Sequence, residues 1–260
     1  MGVTHGGTLT ARYLPGTSVV HRLPPQAKLL AVLGFAVVVV ATPVHAGWAP
    51  AAYTAYLLLV LGVATAAGIG PGRLARGLVV EIPFVAFALL LPVVARGPRV
   101  DVLGLSLSES GLAAGGGLLA KATLSILAAT VLAATTEPRS LLRGLERLRL
   151  PHLLVQILMF MIRYADVVGS ELHRMRVARE SRGFTGGGVR GLRVMAATAG
   201  ALFVRSYERG ERVHLAMLSR GYSGSMPGGR VVPAGARPWA LALSLPAAAV
   251  AVLLTGALVG

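Results

Sequence analysis

Two seven-residue segments carry the side chains best suited to recognition chemistry. Ala178-Arg179-Glu180-Ser181-Arg182-Gly183-Phe184 and Ala216-Met217-Leu218-Ser219-Arg220-Gly221-Tyr222 both read A-x-x-S-R-G-[F/Y]. A guanidinium offers a rigid fork of donors, and beside an aromatic ring it suits a carboxylate- and backbone-rich groove on a protein partner. Each copy follows a long helical pattern, Leu153 to Arg182 and Val194 to Arg220. Each leads into a Gly-rich break: Gly186, Gly187 and Gly188 in the first case, Gly224, Pro227, Gly228 and Gly229 in the second. A Gly just past the last turn takes the left-handed conformation that closes a helix, and an Arg in that turn favours the negative end of the helix dipole. Capping alone would give two helices that end alike. The shared Ala, Ser and aromatic go beyond what a cap requires, so Ser181, Arg182, Gly183 and Phe184, with Ser219, Arg220, Gly221 and Tyr222, are predicted to face a protein partner.

Catalytic chemistry finds no comparable support. The chain has no G-x-x-x-x-G-K-[ST] phosphate loop, and Gly68, Gly70 and Gly72 lack the Lys-Ser/Thr that would follow one. Its six histidines, at 5, 21, 45, 152, 173 and 214, show no i,i+4 pair or nearby acid cluster at ligand spacing. His5 reads as a solvated terminal residue. Cysteine is absent, which removes disulfides, thiolate chemistry and Cys-based metal sites. No Ser–His–Asp set or paired Asp motif is present, so the expectation is a non-enzymatic chain without a cofactor or metal of its own.

The elements that must hold the two motifs are set by hydropathy. The 260 residues are 55% hydrophobic and 13% charged, with a mean hydropathy of +0.71. A soluble domain would carry about 25% charged residues. A hydrocarbon core about 30 Å thick needs roughly 20 apolar helical residues. Five segments are predicted as spans: 27–42, which is short, then 48–67, 78–95, 112–135 and 238–259. Trp48, Tyr53 and Tyr56 anchor one end of the second. Glu81 with Pro83 and Pro92 interrupts the third, and Lys121 the fourth. Glu81 is expected at an interface near Arg76, and Lys121 is expected to snorkel or pair inside the bundle. A proton- or ion-pathway role is the other reading of these two charges. The polar stretch through Pro25 does not read as a signal peptide.

Charge orients the spans. The net charge is +15, and the stretch 137–230 alone holds 16 arginines against 7 acidic residues. Basic loops fall alternately along the chain, which puts the N-terminus and this long stretch in the cytoplasm. Leu150–Val168 could be a sixth span. Arg163 and Asp166 within it favour a groove-lining or interfacial helix instead. The organisation expected is therefore a cytoplasmic N-terminal segment (1–26), four spans (27–136), a cytoplasmic helical domain (137–236) and a final span (237–260). The fold class is all-α, a multi-pass membrane helical bundle. A nucleic-acid module could use the basic stretch, but it has no nucleic-acid motif, and Glu171, Glu180, Glu208 and Glu211 offset its arginines.

The paired motifs resemble those of the transmembrane T component of energy-coupling factor (ECF) transporters. Tyr13-Leu14-Pro15-Gly16-Thr17-Ser18, followed by His21-Arg22-Leu23-Pro24-Pro25 and Lys28, is similar to that family's N-terminal signature. Phe160–Tyr164 and the run Arg205–Arg212 also look like family features. The likeness is greatest to the CbiQ group of cobalt transporters, with Ser in place of the usual Ala before each motif Arg.

The resemblance implies that coupling helices carry Arg182 and Arg220 into grooves on two ATP-binding cassette subunits, which hold the ATP and Mg. Their closure would be transmitted to a substrate-binding membrane protein, the S component, CbiM-like if the cargo is cobalt. Nickel, biotin or another vitamin are the alternatives. The implied location is the bacterial cell membrane.

Overall fold

The computed structural model describes residues 13–95, 98–102, 105–184, 186–224 and 235–259. His5, Arg12, Arg96, Arg230 and the Pro227–Gly229 part of the second Gly-rich break lie outside the described residues. Ten α-helices are present among those described: α1 (Val19–Arg22), α2 (Pro25–Ala41), α3 (Ala49–Ala66), α4 (Pro71–Leu78), α5 (Ile82–Val94), α6 (Glu109–Thr135), α7 (Pro138–Arg147), α8 (His152–Glu180), α9 (Gly188–Leu218) and α10 (Ala236–Val259). Proline opens α2, α4 and α7, where its missing N–H would have had no helical partner anyway. The helices fall into two compact units, one holding α1–α7 and α10, the other α8 and α9. The architecture is that of an all-α, multi-pass membrane helical bundle with additional helices.

By length and composition, α3, the run Pro71–Val94, α6, α8 and α10 could each cross a membrane, while α2 is a shorter apolar helix. At 17 residues α2 spans roughly 25 Å, less than a hydrocarbon core. Leu150–Val168 is not a separate element; it forms the apolar start of the 29-residue α8.

The bundle core centres on Phe35, Val39, Tyr56, Val60, Leu124 and Leu127, with the Phe35 and Tyr56 rings meeting edge to face at 6.0 Å. Glycine sets the closest helix approach. A Cβ on Gly115 would lie 2.7 Å from the Ala88 carbonyl oxygen, and one on Gly111 2.7 Å from that of Leu91. This four-residue spacing of small residues lets the α6 backbone lie directly on α5. Between these helices, β1 (Arg99–Val102) and β2 (Leu105–Ser108) form an antiparallel hairpin, with Arg99 opposite Ser108 and Val102 opposite Leu105. The sequence reading treated this stretch as a loop, although R-V-D-V and L-S-L-S alternate with the period of a strand.

Both intramembrane charges have identifiable partners. Lys121 Nζ donates 2.8 Å to the Val40 carbonyl, capping the C-terminus of the short α2, where carbonyls lack helical donors. Nearby, Thr42 Oγ1 and Tyr56 Oη lie 3.2 Å apart, and Tyr53 Oη donates to the Thr42 carbonyl at 3.4 Å. Glu81, expected near Arg76 at an interface, is instead buried at the end of the 3-10 turn Val79–Glu81 between α4 and α5, whose two valines are exposed. There it accepts a 2.5 Å hydrogen bond from Thr123 Oγ1 on α6. Burial favours a partner on the packed neighbour over the exposed Arg76.

The N-terminal signature folds back on itself. The Ser18 side chain caps α1, its Oγ lies 2.7 Å from His21 Nδ1, and His21 Nε2 lies 3.1 Å from the Leu14 carbonyl oxygen. The ring fills the space where a Cβ of Gly16 would be. Lys28 Nζ then donates to the carbonyls of His21 (3.2 Å) and Thr135 (2.9 Å) and to Thr136 Oγ1 (3.1 Å). This one ammonium ties α1, α2 and the end of α6 together. Gly144 of α7 packs closely on Pro25 and Gln26, and Arg147 reaches the Gln26 side chain at 3.3 Å. The compact bundle thus continues through α7. Arg149 follows with φ 65°, the left-handed conformation normally left to Gly past a helix end.

Candidate functional site

The helix pair α8 and α9 carries both motifs. Gln156 meets Tyr222, Glu171 meets Arg205 and Arg209, and Arg179 meets Thr198. Partners on α9 run backwards as those on α8 run forwards, so the helices are antiparallel. Glu171, largely buried, accepts from Arg205 at 3.1 Å and Arg209 at 3.2 Å. That arrangement absorbs two arginines of the family-like run 205–212. Arg212 lies 3.9 Å from Glu208 one turn away, an exposed pair of little energetic consequence.

The motifs themselves superpose bond for bond. In the first, the Phe184 N–H donates to the Arg179 carbonyl (3.3 Å) and the Gly183 N–H to that of Glu180 (3.0 Å). In the second, the Tyr222 N–H donates to the Met217 carbonyl (3.0 Å) and the Gly221 N–H to that of Leu218 (3.0 Å). Gly183 and Gly221 take φ values of 75° and 82°. These are two Schellman endings, in which a left-handed Gly lets the last carbonyls find donors. The serines match as well: Ser181 Oγ donates to the Ala178 carbonyl (3.1 Å) and Ser219 Oγ to that of Ala216 (3.0 Å). Capping therefore accounts for the serine, the glycine and the helix-end backbone.

It does not account for the arginines. Arg182 and Arg220 project from these closed ends, both exposed, and neither has a hydrogen-bond or ionic partner among the described residues. Their guanidinium donors remain available to something outside the chain.

The aromatics behave differently from each other. Phe184 is half-buried beneath Arg179, whose guanidinium carbon lies 5.6 Å from the ring centroid. Arg179 also donates to Thr198 Oγ1 at 3.2 Å, while its Nε is buried without a partner. Tyr222, also half-buried, donates 2.9 Å to Gln156 Oε1, and Gln156 Nε2 donates 3.3 Å to the Gly224 carbonyl. The sequence reading expected both rings to face a protein partner with their arginines. In the fold each ring has an intramolecular contact, and the groups left free at the tips are the two arginines.

Thr198 and Gln156, and any role for Arg179, are what sequence reasoning did not single out, whereas Glu171 was read as offsetting arginines and does so. Arg179 sits one turn before Arg182, but the second copy has Met217 in its place. Comparing the copies therefore hid its role. Gln156 is a polar residue in an otherwise apolar run, a signal that a buried partner was needed. Among the described residues no cluster of His, Asp or Glu could hold a metal ion.

Comparison with known proteins bears on most of the chain. Residues 16–228 match the family described as CbiQ, cobalt transport protein. A protein of Bacillus subtilis (strain 168) named energy-coupling factor transporter transmembrane protein EcfT is 30% identical over 231 residues, covering 83% of this chain and 85% of its own length. A namesake from Listeria innocua is 32% identical over 231 residues with the same coverages. Another, from Thermosediminibacter oceani, is 27% identical over 227 residues, covering 82% and 83%. The chain belongs to the CbiQ family of ECF transporter transmembrane (T) components, and is a non-catalytic membrane coupling subunit of an ECF-type transporter.

Proposed function

We propose that Arg182 and Arg220 are the two docking points for a pair of ATP-binding cassette subunits, each entering a groove on a different subunit. The observation that carries this reading is the antiparallel arrangement of α8 and α9. It sets the two bare arginines at opposite ends of the pair: Tyr222 sits against Gln156, and Arg182 lies 26 residues further along α8, or about 40 Å at 1.5 Å per residue. One groove cannot take both. Ser181, Gly183, Phe184, Ser219, Gly221 and Tyr222 support the arginines by holding each tip in one conformation.

ATP and Mg belong to those partner subunits, and this chain needs no cofactor. Closure of the ATPases would move the ends of two long, cross-braced helices together, a rigid-body lever of the hinge-and-shear kind. A substrate-binding S component in the membrane would receive that motion. The cobalt name of the matching family favours a CbiM-like S component and cobalt as cargo; nickel, biotin or another vitamin would use the same coupling, because the S component selects the solute. The basic excess around α8 and α9 supports a cytoplasmic location for them and for the N-terminus, in a bacterial cell membrane.

Affinity purification of the full chain, co-expressed with ATPase and S subunits of an ECF transporter, tests the reading. Arg182→Glu with Arg220→Glu should reach the membrane normally yet recover no ATPase and support no uptake. Either single change should leave partial assembly, since the intact docking point keeps its partner at high effective concentration. Undiminished ATPase recovery with the double variant would refute the assignment.

A further inference from the structure

We propose that a crevice between α1 and α10 holds one acyl chain of an anionic phospholipid, with the lipid phosphate held by Arg22 and Arg237. The crevice has a volume of about 140 Å³ and lies between α1, α2, α3, α6 and α10. Its floor is formed by buried Val60, Ala128, Val131 and Ala242, while Val19 and Leu241 stand exposed at its rim. A dry apolar cavity of about 150 Å³ is known to take up small hydrocarbon ligands, so the space suits a short run of methylenes.

The polar side chains lining it make no demand on a polar occupant. Ser244 Oγ donates to the Leu241 carbonyl (2.8 Å) and Thr135 Oγ1 to that of Val131 (2.8 Å). Lys28 has three N–H donors, and its three hydrogen bonds to His21, Thr135 and Thr136 use them all. All three acceptors are uncharged. The crevice is therefore satisfied as it stands, yet carries a buried positive charge bonded to no carboxylate among the described residues. Hydrocarbon inside and an anion at the mouth fit that combination.

The mouth supplies the remaining cations. On α1, Arg22 lies one turn from Val19; at the start of α10, Arg237 lies one turn from Leu241. Side chains at these spacings share a helix face. Both arginines are exposed, and neither has a partner among the described residues. Leu23 and Trp239, their near neighbours in sequence, pack on one cluster of Ala27, Ala31 and Ala242, which brings the two helix segments together. Trp239 also marks the level of the membrane interface, where phosphates lie. Two free guanidinium groups above a hydrocarbon slot match an anionic headgroup and its chain.

Trp239 reports on this site directly. The chain has two tryptophans, and Trp48 packs on Gly256, about 25 Å along α10 from Trp239. A full-length Trp48→Phe chain would be reconstituted into phosphatidylcholine vesicles containing, as minor component, acyl-dibrominated phosphatidylglycerol or acyl-dibrominated phosphatidylcholine. Brominated phosphatidylglycerol is expected to quench Trp239 at a mole fraction roughly thirtyfold lower than brominated phosphatidylcholine, from two interfacial arginines. Adding Arg22→Gln and Arg237→Gln should make the two lipids equivalent while leaving the unquenched emission maximum unchanged.

Equal quenching with both arginines present would overturn the proposal, as would a preference that survives their removal. Failure of both lipids to quench would also overturn it, indicating a crevice closed or covered by a protein helix. The comparison of the two lipids needs only Trp48→Phe, so it decides the matter even where the double-arginine variant fails to reconstitute.

Discussion

Tyr222 Oη donates a 2.9 Å hydrogen bond to Gln156 Oε1, joining the end of the second motif to the start of the helix that carries the first. Gln156 is 8% exposed and returns a hydrogen bond to the Gly224 carbonyl. The tip that presents Arg220 is thereby held by α8 as well as by its own cap.

Tyr222→Phe should leave the buried Gln156 oxygen without its donor, at a cost of roughly 1–3 kcal/mol. Amide hydrogen exchange at the end of α9 should quicken several-fold, with α8 and α9 otherwise protected. Gln156→Ala should match it, and the double variant should cost less than the sum, as contacting pairs do. Additive effects would mean that the two side chains act independently.

Gly183→Ala and Gly221→Ala place a Cβ on residues at φ 75° and 82°. Left-handed backbone costs an L-residue about 1–2 kcal/mol. Each substitution should fray one helix end and weaken recovery of ATPase subunits while both arginines remain. Membrane insertion should be unchanged. Normal recovery would show that the tip conformation does not matter for assembly.

Lys28→Met removes the ammonium that bridges His21, Thr135 and Thr136. Three acceptors would lose a donor in a buried site, and an unmade buried hydrogen bond costs roughly 1–3 kcal/mol. The thermal midpoint of the purified chain in detergent should fall by several degrees. An unchanged or raised midpoint would mean that the cost of burying the charge outweighs its hydrogen bonds.

Gly115→Leu should separate α5 from α6, because even a Cβ there would lie 2.7 Å from the Ala88 carbonyl oxygen. Gly116→Leu, at a position open to space, is the matched control. Cysteine pairs introduced across α5 and α6 should cross-link in the control and lose cross-linking in Gly115→Leu. Equal cross-linking would show that α5 yields without disrupting the contact.

Much of the framework was legible because hydropathy and helix-end chemistry are local. Apolar runs long enough for a bilayer and Gly at helix ends correspond to α3, α6, α8 and α10 within a few residues, and to the end of α9, which starts six residues earlier than read. The hairpin β1–β2 was less legible, since its alternation lasts only four residues a strand. Glu81 and Lys121 were recognised as costly charges, but their partners lie 42 and 81 residues away. No periodicity reaches across such separations.

The sequence by itself determined that this is a multi-pass membrane chain ending two long helices in the same S-R-G-aromatic sequence. That follows from composition and from bonds made within a few residues. Only the tertiary structure decided what each motif side chain does. Arg179 turns inward to Thr198 and Phe184, Tyr222 reaches Gln156, and Arg182 and Arg220 are left exposed. The reason is position along each helix: Arg179 lies inside α8 and meets Thr198 of the antiparallel α9, whereas Arg182 and Arg220 lie past the last helical residues, Glu180 and Leu218, on the closing turns.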